Sequence, residues 1–201
     1  MTNKKSDRRT QRTRNRLKKA LIELILTKKY SEITIRDITE LAQVGYATFF
    51  RHYDGKDSLL ADAFDQSVSE LQSMLLSLGT SSSPEEEGRL IFEHVRDNSE
   101  LYSVFLQSEK TQMLIDHVAR EAVKELVMRY ARYTPSIPAA ILANHVVASI
   151  IALIKWWLRN GMPFTAEQMG FIYAELIVQP IDDLLSPPRS STPAREISLE
   201  S

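Results

Sequence analysis

Apolar residues recur along this chain at the spacing of α-helices. The first apolar stripe has members at i, i+3, i+4, i+7 and i+8, namely Leu17, Ala20, Leu21, Leu24 and Ile25. Such a stripe lies on one side of a helix and is typical of a helix packed on a core. The spacing predicts a first helix over about residues 11–27.

Capping signals predict where the next two helices begin. Thr34 precedes the apolar segment IRDITELA, and Asp37 follows three residues later, which approximates a capping box. A break over residues 43–45 separates this short helix from another that begins at Tyr46. Two further capping boxes, Ser83 with Glu86 and Thr165 with Gln168, mark later helix starts.

The remaining apolar periodicity is also helical, so the predicted fold is all-α with about nine helices. Glycine is scarce, with 6 residues, and hairpin turns between alternating runs are absent. The other predicted helices cover about residues 56–78, 84–97, 99–105, 109–133, 137–160 and 165–185. Pro180 is expected to kink or end the last helix, because the Leu176 carbonyl then loses its partner.

The segment at residues 137–160 is apolar on nearly every face. Its length would suit a membrane span, but Asn144, His145 and Ser149 fall in its middle. These polar residues favour a helix buried on two sides, against its own domain and against a second subunit. We therefore expect no membrane partner.

Charge is divided unevenly along the chain, although the net charge is only −1. Residues 1–60 hold 14 Lys and Arg against 7 Asp and Glu, whereas residues 61–201 hold 11 against 19. A basic head suits binding to a polyanion, because bound phosphates release their condensed counterions. A solvated basic helix without a partner would show the same charge, so both interpretations stay open on charge alone.

Enzyme chemistry has little support in the residue pattern. Cysteine is absent, and no phosphate-cradling glycine loop or metal-ligand spacing occurs. The acid and histidine pairs Glu93–His94 and Asp116–His117 are adjacent on helices, so their side chains point about 100° apart. We predict no catalytic residues, metal or cofactor. The N-terminus lacks a secretory signal, which favours the cytoplasm.

The layout from Thr34 to His52 matches a helix-turn-helix, in which one helix braces a second that enters the major groove. Ile38, Leu41, Val44 and Phe49 are expected to form the brace. Six residues of the second helix are then left facing outward: Tyr46, Ala47, Thr48, Phe50, Arg51 and His52.

The segment TIRDITELAQVGYATFFRHYDGKDSLL resembles the DNA-binding domain of the TetR family of bacterial transcription regulators. The matching residues are Thr34, Ile38, Ala42, Val44, Thr48, Phe49, His52, Lys56 and Leu59. Three residues depart from the family pattern. Gln43 replaces the turn glycine, so a non-glycine residue is expected in a left-handed conformation. Gly45 replaces a hydroxyl cap, and Phe50 replaces a tyrosine that commonly reaches DNA.

The resemblance implies DNA-binding roles for individual residues. Thr34, His52 and Lys56 would bind phosphate, while Tyr46, Thr48 and, on its chemistry, Arg51 would read bases. Phe50 retains apolar contact, for which a thymine methyl is a plausible partner. A buried role is expected for Tyr53. An N-terminal arm would contain Arg8, Arg9, Arg12 and Arg14.

The resemblance also implies three regions and a regulatory mechanism. Residues 1–55 would form a helix-turn-helix domain with a basic arm, residues 56–186 a helical regulatory and dimerisation domain, and residues 187–201 a disordered tail. The protein would be a repressor that binds a pseudo-palindromic operator as a homodimer, through about residues 137–160 and 165–185. A small-molecule inducer would release it.

Candidate effector contacts are aromatic or polar residues of the middle helices. They are Phe92, Tyr102, Phe105, Met113, His117 and Trp156. Plain core packing is the simpler explanation for each of them. Two alternatives to a ligand-controlled repressor remain at this stage: a ligand-independent or architectural DNA-binding protein, and a helical enzyme.

Overall fold

The computed structural model describes residues 3–79, 81–107 and 137–185. Every regular element within these ranges is helical, which confirms the all-α prediction. The predicted helix at residues 109–133 and the tail at residues 187–201 lie outside the described residues. So do the candidate effector contacts Met113 and His117.

The helices follow the predicted order. They are α1 (Asn3–Ile25), a 3₁₀ turn (Tyr30–Glu32), α2 (Ile35–Ala42), α3 (Tyr46–Phe49), α4 (Lys56–Leu78), α5 (Pro84–Asp97), α6 (Ser99–Leu106), α7 (Ala139–Arg159), α8 (Ala166–Tyr173), a π-helical turn (Ala174–Val178) and α9 (Gln179–Leu185). Helix α1 begins well before the predicted residue 11. Its early residues are almost all polar, so apolar periodicity could not detect them.

All three predicted capping boxes are present, at Thr34, Ser83 and Thr165. In the first, the Asp37 backbone N–H donates to Thr34 Oγ1 at 3.1 Å, and the Thr34 N–H donates to Asp37 Oδ2 at 2.7 Å. Lys28 lies 2.8 Å from the same carboxylate and, together with the Thr34 hydrogen bonds, holds the pKa of Asp37 well below its usual range. The start of α2 is therefore fixed by local contacts.

One continuous apolar core joins the N-terminal helices to the rest of the chain. Leu17 and Leu21 of α1, Ile38 of α2, Phe49 of α3 and Leu59 of α4 are fully buried in it. Deeper in the body, which comprises the helices from α4 onward, Phe92 meets Trp157 edge to face at 5.1 Å. The N-terminal unit and the body thus share packing through α1, α4 and α6.

Two glycines allow α5 and α8 to cross with their backbones in contact. A Cβ at Gly88 would lie 2.8 Å from the Gly170 Cα, and a Cβ at Gly170 would lie 2.6 Å from both the Arg89 N and the Glu85 O. Backbone atoms cannot give way as a flexible side chain can. The two helices therefore form one rigid pair.

The last helical segment is interrupted before Pro180, as its sequence predicts. A π-helical turn at Ala174–Val178 separates α8 from α9, and Pro180 lies in the first turn of α9. Proline cannot donate to the carbonyl four residues back, so the hydrogen-bond register changes at this point. Within the described residues, one helix segment, Ala140–Arg159, has the length and composition of a membrane span, but core helices of other proteins pass the same test.

Candidate nucleic-acid interface

A left-handed residue makes the turn between α2 and α3. Gln43 has φ of 50° and ψ of 47°, which confirms that a non-glycine residue adopts the left-handed conformation here. Arg16 of α1 donates to the Gln43 carbonyl at 3.1 Å and also approaches its side-chain oxygen at 3.4 Å. This contact from outside the motif helps hold a turn that glycine would adopt with less strain.

Helix α3 and the three residues that follow it present most of the predicted contact residues to solvent; we call this region the α3 surface. Tyr46, Ala47, Phe50 and Arg51 are exposed, Thr48 and His52 are half-buried, and Thr34 at the start of α2 is exposed. The Phe50 ring packs edge to face against exposed Tyr46 at 5.3 Å and against buried Phe49 at 5.4 Å. Phe50 therefore links the outer surface of the motif to its core.

The brace is buried as predicted at Ile38 and Phe49, but the prediction for Leu41 is wrong. Leu41 is 44% exposed. Ile38, Thr39 and Ala42 form the buried side of α2. Because successive helical residues are about 100° apart, Leu41 lies beyond the edge of that side. Tyr53 is buried, as predicted, at 4% exposure.

A charged junction joins α1 to α4 through Tyr53. The Tyr53 hydroxyl donates to Asp62 Oδ2 at 2.5 Å, Arg14 donates to Asp62 Oδ1 at 2.9 Å, and Lys18 lies 3.3 Å from Asp62 Oδ2. Burial opposes ionisation of Asp62, but the Tyr53 hydroxyl and the two cations outweigh it, so its pKa lies below the usual value. Burial and the Asp62 hydrogen bond also raise the pKa of Tyr53.

Arg14 is held in this junction, at an internal contact rather than in a free arm. Arg14 belongs to α1, and Arg8, Arg9 and Arg12 lie exposed on the same helix. The basic N-terminal segment is thus helical where the structure describes it.

Lys56, the expected phosphate contact, makes hydrogen bonds within the chain. Its Nζ donates to the carbonyls of Tyr30 at 2.8 Å, Ile33 at 2.9 Å and Ser31 at 3.4 Å. The same ammonium lies 4.6 Å from the centre of the Tyr30 ring, and the Tyr30 hydroxyl donates to Asp57 Oδ1 at 2.6 Å. An ammonium has three donors, and all three are directed to this turn.

The four candidate effector contacts that the structure describes do not form one group. Phe92, Tyr102 and Phe105 are buried, with 4% of Tyr102 exposed. Trp156 is 46% exposed and stacks on Phe164 at the surface, whereas its neighbour Trp157 is 1% exposed and donates to the Phe164 carbonyl at 3.0 Å. Trp156 therefore lies apart from the interior residues.

Several residues that make polar contacts between helices were not predicted from the sequence. Arg16, Asp62, Ser67 and His94 all make long-range polar contacts. Such residues interrupt no apolar stripe and match no local capping pattern, so only their partners reveal them. Within residues 3–79, 81–107 and 137–185 there is no group of acidic and histidine side chains able to hold a metal ion.

Two protein-family models match this chain. A family model described as bacterial regulatory proteins, tetR family, matches residues 18–63. A second, described as transcriptional regulator C-terminal region, matches residues 83–179. The two matches together include the helix-turn-helix and most of the body.

The individual proteins that this chain resembles are also transcriptional regulators. The chain is 29% identical over 179 residues to the HTH-type transcriptional regulator YxbF of Bacillus subtilis (strain 168), a match that covers 83% of this chain and 45% of YxbF. The chain thus spans less than half the length of that curated relative. A TetR transcriptional regulator from Streptococcus agalactiae 2603V is 27% identical, with a TM-score of 0.57 over 86% of this chain and 97% of that one. A TetR-family regulator from Syntrophomonas wolfei str. Goettingen shares the fold, with a TM-score of 0.66 at 17% identity over 89% and 98% of the two chains.

Proposed function

This chain belongs to the TetR family of bacterial transcriptional regulators, and from that premise we propose that it is a cytoplasmic repressor released from its operator by a small-molecule inducer. It would bind a pseudo-palindromic operator as a homodimer. The single observation that carries this proposal is the exposed surface of α3, held on a buried brace.

The surface of α3 has the chemistry of a base reader. Arg51 is exposed, and it makes no ion pair with the rest of the described chain, so its guanidinium is available to grip guanine. Tyr46 and Thr48 add hydroxyl groups, and Phe50 and Ala47 add apolar contacts for a thymine methyl. Thr34 and His52 lie at the margins of this surface, where phosphate contacts would position the helix.

Exposed apolar side chains of the C-terminal helices, which we call the apolar outer face, support the proposed homodimer. Six large ones are exposed on α7 to α9 and the segments that join them: Ile141, Trp156, Phe164, Phe171, Leu176 and Leu184. Only 28% of the apolar window of α7 is buried within the chain. A shallow groove of about 430 Å³ beside α8 is lined by Phe164, Phe171 and Ile172 among others. An exposed patch of this kind is typical of a protein interface.

A two-fold axis through the apolar outer face would pair two α3 surfaces. Their spacing would be about 34 to 36 Å, one turn of B-DNA, if both enter successive major grooves. The inducer would act by favouring an arrangement in which this spacing no longer fits the operator.

Selection of bound sites from random DNA tests the proposal directly. The expected result is enrichment of one pseudo-palindromic sequence, bound by two copies of the chain when the mass of the complex is measured by light scattering. Equal affinity for all sequences would instead favour an architectural DNA-binding protein. Binding of a single copy to an asymmetric site would contradict the homodimer.

A further inference from the structure

Two aromatic side chains lie side by side on the α3 surface: Tyr46 and Phe50, which we call the exposed aromatic pair. Tyr46 is 56% exposed and Phe50 is 47% exposed. Phe50 follows α3 but keeps helical backbone angles, with φ of −69° and ψ of −7°, so the two residues lie four positions apart on one helical face. Their ring centres are 5.3 Å apart in an edge-to-face arrangement.

Contacts with the core hold the exposed aromatic pair in place. Phe50 packs edge to face on Phe49 at 5.4 Å, and Phe49, which is fully buried, lies 5.7 Å from the buried ring of Tyr53. A row of four rings therefore runs from solvent into the core of the helix-turn-helix. Binding costs less conformational entropy when side chains are fixed beforehand, so this pair suits a contact surface.

Phe50 has no hydrogen-bonding group in its side chain, which limits what it can contact in DNA. Water removed from its ring must be replaced by apolar contact, and neither a phosphate nor a base oxygen offers that contact. In the major groove, the apolar group at the edge of a base pair is the C5-methyl of thymine. The same methyl occupies the same position in 5-methylcytosine, whereas uracil and cytosine lack it.

We propose that the exposed aromatic pair reads C5-methyl groups of pyrimidines in the operator, so that thymine is preferred over uracil and 5-methylcytosine over cytosine at the contacted position. This inference rests on the proposed function as an operator-binding repressor. It adds a form of regulation, because methylation of an operator cytosine would strengthen binding. Phe50 makes the methyl contact, and Tyr46 supports its ring.

Other residues of the α3 surface would choose between the two methylated bases. Thymine presents an acceptor oxygen beside its methyl group, whereas 5-methylcytosine presents a donor amino group. The Phe50 ring is indifferent to this difference, but hydrogen bonds from the Thr48 hydroxyl and the Arg51 guanidinium depend on it. The methyl effect should therefore be the same on both bases, even where the total affinity differs.

Operators that differ only in methyl groups test the inference. After site selection, each pyrimidine position of the half-site carries thymine, uracil, cytosine or 5-methylcytosine in turn, and affinity is measured by fluorescence anisotropy at constant salt. Burial of one methyl group corresponds to about fourfold in affinity, and to about 16-fold when both half-sites lose it. We expect this ratio for thymine over uracil and for 5-methylcytosine over cytosine at the same position. A thymine effect without a matching 5-methylcytosine effect would contradict a contact to the methyl group.

Phe50→Ala removes the ring, so both ratios should fall to about one, while the salt dependence of binding stays unchanged. Tyr46→Phe keeps both rings and removes only a hydroxyl, and Leu76→Ala removes an exposed apolar side chain of α4, so both controls should retain the ratios. Retention of the ratios in Phe50→Ala would overturn the inference. So would equal affinity of the unmodified chain for thymine and uracil at every position, a result that does not depend on the folding of any variant.

Random DNA pools made with and without C5-methyl groups separate this inference from the proposed function. An enriched pseudo-palindromic operator that binds equally in its thymine and uracil forms would leave the proposed function standing and overturn the methyl contact. A preference for methylated pools without one enriched operator would do the reverse. Failure to bind any duplex would overturn both.

Discussion

The Lys56 ammonium donates a hydrogen bond of 2.8 Å to the Tyr30 carbonyl, which joins the start of α4 to the turn that precedes α2. Lys56 also bonds the Ile33 carbonyl, one residue before the cap of α2. The lysine therefore positions the cap residue Thr34 and, through α2, the surface of α3. Its effect on DNA binding would be indirect.

Lys56→Met should separate positioning from phosphate binding, because methionine keeps the apolar stem and removes the charge and the three donors. We expect a loss of about 2 kcal/mol in the free energy of unfolding, from the lost charge-assisted hydrogen bonds. Operator affinity should fall for every sequence, while its salt dependence stays unchanged. Full stability together with a salt slope reduced by about one would show that Lys56 binds phosphate instead.

Arg51→Ala should change base preference without changing the stability of the fold, because Arg51 is exposed. Loss of two hydrogen bonds from the guanidinium to guanine would weaken binding to sites that contain that base by about 1 to 3 kcal/mol. Site selection from random DNA with the variant measures the change. Arg96→Ala, an exposed arginine of α5, is the control and should select the same sites as the unmodified chain.

Asp62→Asn should lower the free energy of unfolding at neutral pH. It should also make that free energy depend less on pH in the acidic range. The pKa of Asp62 is lower when folded than its usual value of 3.8, so ionised Asp62 stabilises the fold above that value. This stability is lost as the pH falls through the lower, folded-state pKa. Urea unfolding at several pH values from neutral down to about pH 2 would measure both effects. Asp65→Asn, exposed on the same helix, should behave as the unmodified chain.

Gly170→Ala should destabilise the body by about 3 kcal/mol or more, because the new methyl group would meet the backbone of Arg89 at 2.6 Å. Thermal unfolding measures the loss. Gly55→Ala is the control, since no atom lies within 4 Å of its added Cβ and its backbone is extended, so it should cost less than about 1 kcal/mol. Similar losses in both variants would contradict the rigid contact between α5 and α8.

Gly45→Ser should stabilise the fold by about 0.5 to 1 kcal/mol. Gly45 has φ of −62°, and an added Cβ meets only Thr48 Oγ1 at an ordinary 3.4 Å. The Thr48 backbone N–H already donates to the Gly45 carbonyl at 2.8 Å, so the serine hydroxyl would accept the Ala47 backbone N–H as a helix cap. The unfolded chain would also lose flexibility. Gly45→Ala shares the second effect but lacks the hydroxyl, so a melting temperature equal to that of Gly45→Ser would show that no cap forms.

Helix starts and helix faces of this protein could be predicted from its sequence, because the residues that form them are close together in the chain. Apolar spacing and three hydroxyl residues located most helix starts, and the missing turn glycine predicted the left-handed Gln43. A cap joins residues three apart, and a stripe repeats every three or four. The exposed surface of α3 followed from the same pattern.

Contacts between distant residues were decided only by the tertiary structure. Arg14 meets Asp62 across 48 residues, and Lys56 meets Ile33 across 23, so no local pattern distinguishes these side chains from solvated ones. Trp157 rather than Trp156 takes the interior position, because the direction of α7 relative to α5 sets which face is covered. The sequence by itself determined the helices and the side of each that is apolar, whereas their mutual packing determined which charges are paired and which aromatic rings remain exposed.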